Sequence, residues 1–256
     1  MNKSLRGALR NRNGARRMLV LFAAISILSS SSLIFAQKRF SRTYPAHRNV
    51  KLQLTNRTGT IVVEGWNRDE IKISADMDSP AARLVPEAGT DGLVIDVARD
   101  NRGRDDVGDV NFKIWVPANS TVDLETKRGN ITVNGVSGNL VRAHVTSEGD
   151  IELTGIRALT VMAQNTVGNI VFDGELANGG TYEFKSWKGD ISISIPADST
   201  FSLVASNNSK KIMLGAFWNN GMKMIGDGRR ITGDVGNGRS SLTVSNFQGN
   251  INFIRR

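Results

Sequence analysis

The chain has 256 residues, no cysteine, two histidines, and 33 lysines and arginines against 24 acids. Without cysteine there is no disulfide framework, no thiolate metal site and no lipid-bearing cysteine anchor. The net charge of +9 is concentrated at the N-terminus: residues 1–36 carry six cations and no acid, leaving residues 37–256 with 27 cations and 24 acids, a net of +3. No basic cluster interleaved with stacking aromatics occurs in that remainder, so the sequence offers no footprint for nucleic acid.

In chain order, the first segment reads as an export signal. Lys3, Arg6, Arg10, Arg12, Arg16 and Arg17 form a basic lead, and an apolar run from Met18 to Ala36 follows, interrupted only by serines. This layout predicts a signal peptide over 1–36, with an uncleaved anchor as the alternative because the run is long enough to span a bilayer. No second apolar segment follows, so any membrane attachment would come from this one. Residues 37–256 then read as a single domain, long enough to bury an adequate core without disulfides.

Within 37–256, helix signals are nearly absent. Apolar and polar residues alternate over Val50–Leu54, Ile71–Ala75, Leu93–Val97, Phe112–Val116 and Ile191–Ile195, with Gly, Asn and Asp between the runs. Period-two alternation bounded by turn residues predicts half-buried strands. Residues 40–118 read as a more irregular N-terminal cap with a wide loop at 100–109. Regular coils follow over 119–206, a turn-rich insertion over 215–240 and final strands over 241–254.

A column pattern gives these strands their architecture. Gly59, Gly129, Gly149, Gly168, Gly189 and Gly249 are each followed two residues later by isoleucine: Ile61, Ile131, Ile151, Ile170, Ile191 and Ile251. Three residues before each glycine stands a small polar residue: Asn56, Thr126, Thr146, Asn165, Ser186 and Asn246. The residue after each glycine is Thr60, Asn130, Asp150, Asn169, Asp190 or Asn250, so acids alternate with neutral residues. The glycine intervals are 70, 20, 19, 21 and 60 residues. A unit near 20 residues suits one coil of a β-solenoid, and the last interval fits three units with two of them degenerate. A second duplication relates Val116–Leu124 to Ile195–Leu203; in both, Pro-Ala-x-Ser-Thr follows a strand, and the proline removes a ladder donor. The prediction is an all-β fold, a parallel β-helix-like stack with the isoleucines inside.

These residues carry a resemblance. Leu-x-Asn-x-x-Gly-x-Ile-x-Val-x-Gly-Trp at 54–66, Val-Pro-x-x-Ser-Thr at 116–121 and the serial Thr-x-x-Gly-Asn/Asp-Ile units are similar to the bacterial putative-adhesin β-strand-repeat family of exported domains of unknown function. The likeness spans roughly residues 48–254. It implies a solenoid-like fold and a cell-envelope setting, and it supplies no catalytic motif.

The candidate chemistry is sparse. His144 is read into the inward column of Leu54, Leu124, Ala163, Phe184 and Val244, as a satisfied core histidine rather than a base or ligand. Glu148, Asp150, Glu152, Asp173 and Glu175 could approach the spacing of a polysaccharide-cleaving carboxylate pair. Glu148 and Glu152, however, fall at columns expected to face solvent. The acidic loop Asp100–Asp109 lacks the ligand spacing of a calcium loop and contains Arg102 and Arg104. Trp66, Trp115, Trp187 and Trp218 could give stacking platforms, with Trp187 and Phe247 both two residues before a marked glycine. No catalytic, cofactor or metal residue is assigned. The expectation is a non-enzymatic, exported envelope module, periplasmic, surface-bound or secreted, that offers a rigid β surface to a protein or glycan. A polysaccharide-active enzyme and the sensory part of an envelope-stress system are the alternatives.

Overall fold

The structure, a computed structural model, describes residues 38–209 and 211–256. The predicted export signal lies outside the described residues. Strand β1 (Lys38–Pro45) leads into a first coil of β2 (Lys51–Thr58) and β3 (Ile61–Trp66). Then come β4 (Glu70–Met77), β5 (Glu87–Ala88), β6 (Gly92–Asp96), the single-turn helix α1 (Val97–Asp100) and β7 (Val110–Pro117). Four coils follow in close order: β8 (Thr121–Arg128) with β9 (Ile131–Asn134), β10 (Leu140–Glu148) with β11 (Ile151–Ile156), β12 (Thr160–Val167) with β13 (Ile170–Gly174), and β14 (Thr181–Lys188) with β15 (Ile191–Ile195). After β16 (Phe201–Asn207) and β17 (Ile212–Met213) come a 3-10 turn (Gly215–Phe217), β18 (Lys223–Ile225) and β19 (Arg230–Val235). A last coil, β20 (Ser240–Gln248) with β21 (Ile251–Arg255), ends the chain.

Each coil contributes one strand to each of two facing sheets, and equivalent strands pair in parallel. The fold is an all-β solenoid. Ile61, Ile131, Ile151, Ile170, Ile191 and Ile251 form one inward column with no exposed surface, each stabilising by roughly 1.5–3 kcal/mol. From the other sheet, Leu54, Leu124, Ala143, Ala163, Phe184 and Val244 point in to meet them. The alanines leave room for the aromatic cluster of Phe172, Phe184 and Tyr182, with Phe172–Phe184 centroids 5.0 Å apart.

The coils do not stack in chain order. Both sheets give the sequence β6/β7, β2/β3, β8/β9, β10/β11, β12/β13, β14/β15, β20/β21, β16/β17. Near the N-terminus the chain builds the second coil, steps outward to the first, then crosses over to the third. Near the C-terminus it passes from β15 over a position later filled by β20/β21, builds the outermost coil and returns. The 60-residue interval is therefore an outer coil plus the antiparallel hairpin β18–β19, which pairs with β16, rather than degenerate coils between Gly189 and Gly249. Both crossings use the duplicated Pro-Ala-x-Ser-Thr step. Ser120 N–H donates to Pro117 C=O, as Ser199 N–H does to Pro196 C=O. Ala118 N–H bonds Trp66 C=O at 2.9 Å and Ala197 N–H bonds Arg256 C=O at 3.1 Å. In each case the crossing segment fastens to the end of the coil it passes.

As a result the six marked glycines stack without interruption. A Cβ on Gly189 would lie 1.9 Å from Gly168 C=O, and its φ of +144° disfavours other residues. The same close approach links every neighbour from Gly59 to Gly249. Antiparallel strands close both ends: β1 and β4 flank β7, and β18–β19 flanks β16. Lys38, Arg39 and Arg42 on the edge strand β1 put charge where another strand would otherwise add.

Candidate functional site: the Trp187–Phe247 groove

The solenoid corner is built by hydrogen bonds that the sequence columns foreshadow. From Asn130 to Asp190 the residue after the glycine reaches forward by one coil. Asn130 Oδ1 accepts from Asp150 N–H, Asp150 Oδ1 from Asn169 N–H, Asn169 Oδ1 from Asp190 N–H and Asp190 Oδ1 from Asn250 N–H, at 2.7–2.9 Å. The polar residue three before the glycine reaches back in three coils: Asn165, Ser186 and Asn246 donate to the C=O of Gly149, Gly168 and Gly189, and Asn207, in register with Asn246 on the outer coil, donates to Gly249 C=O. These side chains are buried. They satisfy carbonyls that would otherwise be desolvated, so the two columns lock the corner and hold the outward residues between them in fixed positions.

Between those locked positions stand Thr166, Trp187, Phe247 and Asn208, on four successive coils. Trp187 and Phe247 stack with centroids 3.9 Å apart and planes 8° from parallel. They remain 55% and 39% exposed, respectively. Beside them runs a parallel row of Gln164, Lys185, Ser245 and Ser206. Together they line an open groove of about 660 Å³ that extends over four coils. Arg229, from the β18–β19 hairpin, completes one rim. Its backbone N–H and Nε both donate to Gly226 C=O, and its own C=O accepts from Asn207 N–H at 2.7 Å, which ties the hairpin to the coil. Lys185 is ion-paired with Glu183 outside the groove. The groove lining contains lysine and arginine and no carboxylate.

The other sequence candidates lie elsewhere. His144 is displaced from the inward column. A bulge between Val145 and Glu148 puts Val145 into the slot that Asn165 and Thr126 occupy on neighbouring coils, leaving Thr146 exposed. Ala143 therefore takes the core position. His144 stands half-buried on the outer face, its Nδ1 3.3 Å from Glu125 Oε2. Beside it Arg142 bridges Asp123 at 2.6 Å and Glu125 at 3.1 Å. Burial works against the Arg142 charge, but those carboxylates outweigh it and hold the guanidinium above its ordinary range.

Glu148, Asp150, Glu152 and Glu175 are exposed, and Asp173 is half-exposed. Asp150 is committed to the corner ladder, and Asp173 and Glu175 pair with Arg256 and Arg157. Among the described residues no group of three or more His, Asp or Glu has the arrangement to hold a metal ion. In the 100–109 loop Asp100 accepts from Val85 N–H, and buried Asn101 bonds Arg83 N–H and C=O. The loop is thus tied to the segment at 79–88. Helix α1, capped by Asp96 accepting from Arg99 N–H, replaces the end of the strand expected over 93–97.

Trp66 and Trp115 stack on each other at 6.2 Å. Arg68 lies over Trp66, and Lys72 and Lys113 lie over Trp115. Their faces are already engaged by cations. Trp218 is exposed beside the 3-10 turn. Of the four tryptophans, Trp187 alone lines the groove. Sequence reasoning flagged Trp187 and Phe247 but missed Asn208 and Arg229, because the outer coil and the hairpin that carry them come earlier in the chain than β20/β21.

A family model described as Toastrack DUF4097 matches residues 105–253. The chain belongs to this family. The Toastrack match begins in the loop before β7 and runs to β21, so it covers the regular coils and the C-terminal crossing. No curated protein matches the chain. Among solved structures, a "putative cell adhesion protein" from Clostridium sporogenes ATCC 15579 is similar at 13% identity and a TM-score of 0.52. The alignment covers 86% of this chain and 100% of that one. A "putative adhesin" from Bacteroides fragilis NCTC 9343 aligns over 86% of this chain and 99% of its own, at 13% identity and a TM-score of 0.36. At 13% identity the likeness to the Clostridium sporogenes protein concerns the fold alone.

Proposed function

We propose that this protein is an exported, non-enzymatic module of the cell envelope that holds a rigid β surface against a protein or glycan partner. The observation that carries the reading is the Trp187–Phe247 groove. A stacked aromatic pair, flanked by amides, hydroxyls and cations, is held on a corner whose buried polar side chains bond from coil to coil. Such a surface meets its partner with little conformational rearrangement, which favours binding. The basic and apolar lead at 1–36 supports export, and the Toastrack membership and adhesin-like fold agree with an envelope setting.

The test is fractionation of the full chain followed by retention on immobilised envelope material. One portion of that material is digested with protease and another oxidised with periodate. The expected result is recovery outside the cytoplasm and saturable retention, without release of reducing ends or unsaturated sugars. Cytoplasmic recovery, absence of retention or appearance of cleavage products would overturn the proposal. Which treatment abolishes retention identifies the partner as protein or glycan.

A further inference from the structure

We infer that the Trp187–Phe247 groove is a binding site for an acidic glycan, a chain of sugars bearing carboxylates. The inference rests on the envelope-binding reading above and adds the ligand class and the residues. Three properties of the groove lead to it. Trp187 and Phe247 are packed against each other through one face each, so each ring keeps a second face. A pyranose ring presents an apolar C–H face to such a surface, and its edge carries hydroxyls. Gln164 in the row beside the aromatics and Asn208 in their own row supply side-chain amides able to donate and accept around that edge.

Size and charge narrow the choice. Four coils span roughly 14 Å at the inter-strand spacing, the length of a short oligosaccharide rather than of a single sugar. The groove is open along its length, as a site for the interior of a polymer must be. Arg229 brings positive charge to it, Lys185 adds a cation shared with Glu183, and no lining residue is a carboxylate. Arg229, with its Nε fixed to Gly226 C=O, presents a planar fork suited to a carboxylate. A single-stranded nucleic acid would also stack, but residues 37–256 carry only a small net charge, against the strong basic surface that phosphate chains select.

The test is calorimetric titration of the full chain, in about 0.15 M salt, with a defined tetra-uronate. Comparison ligands are the corresponding neutral tetrasaccharide, dextran sulfate and a short single-stranded oligonucleotide. The tetra-uronate is expected to bind most tightly, and Trp187→Ala to weaken it at least about tenfold, as removal of an aromatic anchor does. Arg229→Gln should weaken the uronate more than the neutral sugar. Trp218→Ala, an exposed tryptophan outside the groove, should leave binding unchanged.

Failure of the tetra-uronate to bind, binding indifferent to Trp187→Ala, or tighter binding of dextran sulfate or the oligonucleotide would each overturn the inference. Because Trp187 is exposed, its removal leaves the core intact, and an unchanged melting temperature confirms this. If envelope retention persists but is abolished by protease, the glycan site is wrong and the envelope-binding reading stands.

Discussion

Between Gly129 and Gly189 the chain advances one coil per 19–21 residues, whereas 70 residues separate Gly59 from Gly129 and 60 separate Gly189 from Gly249. The middle repeats one local solution, in which each coil is pinned to its neighbours by the glycine approach and the isoleucine column, with the forward-reaching polar column from Asn130 on and the back-reaching one from Asn165 on. Each end instead leaves the stack, adds an outer coil and antiparallel strands, and returns to or passes the coil beside it. The difference shows what the code specifies. It fixes which residues neighbour which in space, and it tolerates any path by which the chain delivers them. The middle should therefore be intolerant of substitution in its columns and the end segments permissive at comparable residue types.

The largest contrast is expected between two isoleucines. Ile151→Asp places an unpaired carboxylate among fully buried neighbours and should destabilise by about 4–5 kcal/mol or prevent folding. Ile254→Asp, at a half-exposed position on the final strand, should change stability by about 0.5 kcal/mol or less. Urea denaturation of both variants checks this, and comparable losses would mean that burial does not distinguish the regions. Glycine gives the next contrast. Gly189→Ala drives Cβ into Gly168 C=O at an unfavourable φ and should cost about 3–5 kcal/mol in strain and displaced backbone. Gly226→Ala, at φ +63° in the β18–β19 hairpin with no atom near the added Cβ, should cost only about 1 kcal/mol.

Two tyrosines separate the regions more finely. Tyr182, among the regular coils, donates its hydroxyl to Ala158 C=O at 2.9 Å and accepts from Ala177 N–H at 2.6 Å. Tyr44, in the N-terminal strand, buries its hydroxyl with no hydrogen-bond partner among the described residues. Tyr182→Phe should cost about 1–3 kcal/mol, whereas Tyr44→Phe should be neutral or stabilising. Burial raises the Tyr182 pKa above its ordinary value, and the Ala177 N–H offsets this only in part. Its contribution is therefore fully present below the unfolded tyrosine pKa, about 10. It falls as pH climbs from there through the raised folded value. The gap between wild type and Tyr182→Phe should narrow accordingly in urea titrations taken up to that range.

The same contrast explains what could be read from the sequence. The isoleucine and glycine columns are local and periodic, so the solenoid and its core were visible without coordinates. The stacking order was not, because chain length alone does not distinguish two degenerate coils from an outward excursion. The signal lay in the duplicated Pro-Ala-x-Ser-Thr step: Pro117 and Pro196 begin the two crossings that pass a coil, and none of the three shorter connections of the middle contains it. That misreading hid half the groove. It would have put Trp187 and Phe247 three coils apart, whereas they stack at 3.9 Å, and it gave no reason to bring Asn208 or Arg229 beside them. His144 was misplaced for a different reason. Counting back from Gly149 assumes no bulge, and the residue added before Glu148 shifts every earlier side chain of β10 by one position.

The smallest expected effect tests whether the middle code contains electrostatics as well as packing. Along the corner, Thr60, Asn130, Asp150, Asn169, Asp190 and Asn250 lie on adjacent coils, so each acid has neutral neighbours on both sides. Asp150→Asn retains an oxygen for Asn169 N–H, as Asn130 does for Asp150, and should shift stability by about 0.5 kcal/mol or less. Asn169→Asp also keeps the ladder oxygen, but it puts three carboxylates on successive coils about 4.8 Å apart. Like charges directly opposed in a sheet repel, and the loss should be about 0.5–1 kcal/mol at low salt. Screening should remove most of it near 1 M salt, where the Debye length falls below the coil spacing. A loss that persists in high salt would belong to hydrogen-bond geometry. No loss at any salt would make the alternation incidental to a corner held by its backbone and amides.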